Sequence, residues 1–174
     1  MNTLRMLMGA AAGIVATGPM TVVMILLHRR LPARERYPLP PREITMKLAQ
    51  KAGVAGELPP EARGAATLVA HFGYGAACGA LYAVSGERVP VSPAVKGPLF
   101  GLLVWATSYL GVLPGAGILS PATEQPARRN ALMIIAHLVW GAALAGIAHV
   151  FLAETESVTA APLTRSILPH RDTK

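Results

Sequence analysis

The chain has 174 residues, with 16 Lys and Arg against 9 Asp and Glu and a formal net charge of +7. Charged residues make up 14%, where a soluble domain carries about 25%, and with a mean hydropathy of +0.43 this argues against an ordinary soluble fold. It also argues against reading the positive charge as nucleic-acid binding, because no basic stripe is interleaved with stacking aromatics.

Asp, Glu, Lys and Arg are absent from residues 6–27, 64–86, 97–123 and 130–153. Each stretch exceeds the roughly 20 residues that cross a hydrocarbon core at 1.5 Å per residue. The pattern predicts four spans, at about 6–28, 64–86, 97–117 and 130–153, in a single transmembrane domain covering 1–153. The first follows Arg5 and precedes His28, Arg29 and Arg30, so it reads as a retained span rather than a cleaved signal. Within it Pro19 lacks a backbone donor and frees the carbonyl of Val15, which predicts a kink able to open a cavity.

The loop after the first span carries the extended Pro38-Leu39-Pro40-Pro41, and Arg42 completes that motif. Residues 42–52 read as a short interfacial helix, with Glu43 and Lys47 spaced i,i+4 and Gly53 at its end. Its thin apolar stripe of Ile44, Leu48 and Ala52 suits a helix lying on the bilayer surface. Leu58-Pro59-Pro60 then stops the loop and starts the second span, with Glu61 in the first turn. The lone Cys78, inside that span, reads as a packing residue. Proline and glycine punctuate 115–126, and 154–174 is expected to be a disordered tail.

Ten of the 16 cations fall on the side of the first and third loops, which places those loops in the cytoplasm by the positive-inside rule and sets them against anionic lipid headgroups. The chain also repeats itself. Residues 70–77 match 136–143 at five positions, aligning His71 with His137, and Gly9 and Gly13 in the first span are echoed by Gly97 and Gly101 in the third. The expected architecture is therefore all-α: a polytopic four-helix transmembrane bundle built from two helix-pair repeats, plus the interfacial helix. The four-spaced small residues let helices approach closely and offer a face for a homo-oligomer.

His71 and His137 each lie seven residues inside their spans, about 10 Å deep at the same level. The favoured reading is polar glue, a neutral imidazole donating to a neighbouring carbonyl, with His28, Tyr74, Tyr109 and Trp140 completing a polar cluster. The alternative makes the two histidines haem or metal ligands, or members of a proton or solute path. Cofactor-free, non-enzymatic function is the expectation, since no carboxylate accompanies the histidines and no nucleophile has an acid partner.

Pro38-Leu39-Pro40-Pro41-Arg42 after the first span, Ala70-His71 in a later span and His137-Leu138-Val139-Trp140 in the last resemble the YagU-type bacterial inner-membrane proteins. The resemblance implies an integral inner-membrane protein of uncharacterised function, with no established active site to carry over.

Overall fold

The computed structural model describes residues 2–85 and 90–165, and no strand occurs among them. Six helices follow in chain order: α1 (Asn2–His28), α2 (Pro40–Lys51), α3 (Pro60–Ser85), α4 (Pro93–Ala106), α5 (Leu113–Gly115) and α6 (Ala127–Arg165). A π-helical segment, Thr107–Val112, joins α4 to α5. Four rods are long and apolar enough to cross a membrane: Thr3–His28, Pro60–Ser85, Pro93–Gly115 and Ala127–Ala153. The all-α, four-span architecture is therefore present.

Helices α3, α4 and α6 start three or four residues before the uncharged stretches begin. The excess turns carry Glu61, Arg63, Lys96, Arg128 and Arg129, since a helix continues into the headgroup zone where charge is tolerated. Proline is compatible with the first turn because its missing donor would be unused there, and Pro60 and Pro93 open α3 and α4. At the other end, α6 continues to Arg165, through residues expected to begin the tail. The rest of that tail, 166–174, lies outside the described residues.

Two left-handed glycines shape the bundle end that carries α2. Gly53 (φ 76°) ends α2, its N–H bonding to the Gln50 carbonyl while that of Val54 bonds to the Ala49 carbonyl. Gly117 (φ 62°) repeats the arrangement after α5, with Gly117 bonding to Pro114 and Ile118 to Leu113. That second turn sends Ile118 back into the protein interior, where it is buried.

The π segment was not expected from sequence, and Pro114 supplies its cause. Proline cannot donate to the carbonyl of Leu110, and its ring crowds that carbonyl, so the ladder upstream widens by one residue. Ser108 and Tyr109 become buried within it.

Helix α1 packs against α3 and α6, and α4 packs against α6. Both antiparallel pairs close through glycine. A Cβ on Gly9 or Gly13 would overlap the carbonyls of Gly79 or Gly75, and one on Gly97 or Gly101 would overlap those of Gly141 or His137. The small-residue stripes thus pack against one another inside the chain. In space, Gly75 occupies in the first pair the place that His137 occupies in the second. The letter match instead sets His71 opposite His137, one helical turn away. Between the pairs, Ala12, Ala16, Met20 and Met24 of α1 meet Met133, Ala136, Trp140 and Leu144 of α6 in one buried cluster.

Candidate functional site

A cavity of about 370 Å³ lies among the four spans, within the roughly 300–1,000 Å³ range of small-molecule sites. Thr17 and Met20 of α1, His71, Tyr74 and Cys78 of α3, Ser108 and Tyr109 of the π segment, and Met133, His137 and Trp140 of α6 contribute walls. Ile44, Thr45 and Leu48 of α2 cover one end, together with Ile118 from the Gly117 turn. At the end away from α2, ring contacts run from Tyr82 to Phe100 at 5.2 Å and from Phe100 to Trp140 at 6.1 Å. They tie α3, α4 and α6 together beneath the cavity. No charged side chain lines it.

The polar groups inside are arranged by their hydrogen bonds. Thr17 donates to the Gly13 carbonyl at 2.8 Å and Thr21 to the Thr17 carbonyl at 2.7 Å, each returning its proton to its own helix. The 3.2 Å contact between Thr21 Oγ1 and His71 Nε2 must then be donated by His71, because the threonine has no second proton. His137 Nδ1 is 2.7 Å from the Met133 carbonyl, which can only accept, so this nitrogen also carries the proton. His71 is left with a lone pair on Nδ1 and His137 with one on Nε2. Tyr109 meets His137 edge to face at 6.0 Å. The Tyr74 and Ser108 hydroxyls bond to one another across α3 and the π segment at 2.9 Å, and Trp140 Nε1 donates to the Gly13 carbonyl at 3.4 Å.

What holds α2 over this cavity is Arg129, buried to 5% exposure at the start of α6. Its Nη1 donates to the carbonyls of Glu35 and Tyr37 at 3.0 and 3.1 Å, and Nη2 to that of Pro38 at 3.0 Å. The guanidinium also lies 3.5 Å above the centroid of the Tyr37 ring. Tyr37 is further tied by its hydroxyl to Gln125 Oε1 at 2.8 Å, and its carbonyl accepts from His28 Nε2 at 3.0 Å. The 35–38 segment, which leaves a 3-10 turn at Ala33–Glu35, therefore runs across one arginine fork into the proline-opened first turn of α2.

Of the residues singled out in the sequence, the structure brings His71, His137, Tyr74, Tyr109 and Trp140 together around the cavity. Three fall elsewhere. His28 belongs to the Tyr37 tether outside it, because it sits at the last residue of α1. Pro19 is exposed on α1, which continues as helix through it, and is not among the residues that line the cavity. Arg42 is exposed on α2, since the face turned inward is that of Ile44, Thr45 and Leu48. Sequence reasoning missed Thr17, Thr21, Ser108 and Arg129. For Arg129 a signal existed, because it shares the helix face of Met133, Ala136 and Trp140 at intervals of three and four.

Among the described residues no group of three or more His, Cys, Asp or Glu side chains converges as a metal site. What a metal would find is two neutral imidazoles, each with its second nitrogen already oriented by a hydrogen bond.

A family model described as a protein of unknown function, DUF1440, matches residues 27–145. No curated protein and no solved structure matches the chain.

Proposed function

The chain belongs to the DUF1440 family, and from that premise we propose a non-enzymatic, membrane-embedded binding protein whose site is the cavity among its four spans. The observation that carries this reading is a 370 Å³ space with an apolar lining and a few convergent neutral polar groups, closed by aromatic rings at one end and by a tethered helix at the other. Such a space suits a small uncharged molecule reaching the site through lipid. Nothing among its lining residues pairs a nucleophile with an acid, which is the basis for proposing binding rather than turnover.

The membrane is proposed to be the bacterial inner membrane, in keeping with the YagU-like motifs, with loops 29–59 and 116–126 on the cytoplasmic side, where the cations concentrate and anionic headgroups would meet them. The two glycine-closed pairs are read as copies of one duplicated unit, in the register set by their contacts rather than by the histidine letters.

Bromobenzene tests the site in a Trp105→Phe background, which leaves Trp140 as the fluorophore, because a heavy halogen quenches Trp140 when it enters the cavity. In nanodiscs we expect saturable quenching that Val104→Phe, which fills part of the space, removes. Quenching that rises linearly with probe and is the same in both proteins would refute it. A second reading, haem held between the imidazoles, is favoured by the lone pairs that His71 and His137 retain. It predicts a Soret band in the purified protein that His137→Ala abolishes, and a spectrum without that band removes it.

A further inference from the structure

Resting on the cavity being a binding site, the hydrogen-bond directions identify the ligand's chemistry. Both threonine protons on this wall are spent on α1 carbonyls. Both histidine N–H groups are spent as well, on Thr21 and on the Met133 carbonyl. Neither histidine makes a further hydrogen bond among the described residues, so two imidazole lone pairs, on His71 Nδ1 and His137 Nε2, are acceptors that the protein itself does not satisfy. Spare protons come from Tyr109 and from the Tyr74–Ser108 pair, whose two hydroxyls have a single mutual bond between them.

We infer that the cavity takes an uncharged, largely apolar molecule of the phenol or hydroquinone class, each hydroxyl giving its proton to one imidazole. A hydroxyl both donates and accepts, so it meets one bare nitrogen and one tyrosine proton together. An acceptor-only molecule, such as a ketone, ester or oxidised quinone, would satisfy the tyrosines and leave both imidazoles unpaired in an apolar site. A charged ligand would find no counter-ion, because no Asp, Glu, Lys or Arg lines the space.

The experiment compares 4-bromophenol with 4-bromoanisole, which keeps the ring, the oxygen and the quenching bromine but replaces the hydroxyl proton by methyl. Binding to Trp105→Phe protein in nanodiscs is read as saturable Trp140 quenching at equal concentrations of probe within the bilayer. We expect the phenol to bind about tenfold more tightly, the effect of one buried hydrogen bond gained without strain. Replacing both acceptors together, His71→Phe with His137→Phe, retains ring volume and should erase most of that preference, whereas either substitution alone still leaves the single phenol proton one acceptor. Should the double variant fail to fold, the ligand comparison without those two substitutions stands by itself. Anisole binding as tightly as phenol would overturn the ligand class while leaving the cavity as a site for apolar molecules. Saturable quenching by neither probe would overturn the site as well.

Discussion

Gly13→Leu is expected to destabilise the protein by more than about 3 kcal/mol, beyond the usual range for overfilling a core. In a side-chain core the neighbours rotate away from an added methylene. Here the obstacle to a new Cβ is the backbone carbonyl of Gly75 on α3, with the Cα of Gly79 close behind it. The helices must separate, and the separation spreads to a second interface, because the Gly13 carbonyl also accepts from Trp140 of α6 and from Thr17. In lipid the lost contact is not restored by hydrophobic pressure, since tails solvate an apolar helix face as well as another helix does. Thermal unfolding in detergent, followed by tryptophan fluorescence and size exclusion, checks the outcome. Gly18→Leu on the same helix is the control, because nothing lies within 4 Å of its Cβ position. Equal effects from the two substitutions would refute the close-approach account.

Arg129→Ala should be nearly as damaging, at about 3–5 kcal/mol, as expected when two or three charge-assisted hydrogen bonds to partly buried carbonyls are lost together. The carbonyls of Glu35 and Pro38 lose their donor at once, that of Tyr37 is left with His28 alone, and Tyr37 loses the cation above its ring. The effect should be local before it is global. Segment 29–39 and α2 should become susceptible to trypsin at temperatures where the glycine-closed pairs α1–α3 and α4–α6 still hold. Arg129→Lys should recover only part of the loss, because an ammonium is a point donor that cannot fork to carbonyls on both sides while stacking on tyrosine. The neighbouring Arg128 is exposed, so Arg128→Ala should leave protease resistance unchanged. Protection of α2 in Arg129→Ala would show that the Gln125 and His28 contacts to Tyr37 are sufficient by themselves.

Much of the fold was legible because the membrane imposes simple rules on letters. Uncharged runs located the four rods, and Leu58-Pro59-Pro60 located the start of α3. Gly53 located the end of α2, whose observed extent, Pro40–Lys51, falls within two residues of the 42–52 read from the sequence. The small-residue spacing on α1 and α4 correctly marked the lines of closest approach, although it left open which helix would use them. The π segment was less accessible. A proline near a span end is ordinary, and its consequence, the burial of Ser108 and Tyr109, depends on a widened turn that no periodicity signals.

The candidate site divides along the same line. Histidines, tyrosines and a tryptophan inside spans stand out in sequence because polar groups are costly there, and five of those named do face one cavity. His28 and Arg42 were grouped by proximity to the spans, and the bundle turned both away from the space. Arg129 was counted merely as one of ten cations on its side, yet it anchors the chain that positions α2.

The amino-acid order by itself determined the number of spans, their approximate limits and the residue types costly enough in lipid to signal a site. Only the folded chain decided which faces meet. It set Gly13 against Gly75 rather than against another molecule, and it shifted the two helix pairs by one turn relative to the letter match. It also directed the ring protons of His28, His71 and His137 to particular oxygens. The physical reason is that a helix in hydrocarbon is apolar on all sides. Hydrophobicity then fails to separate inward from outward faces, and the choice falls to close packing and hydrogen-bond partners from segments remote in sequence.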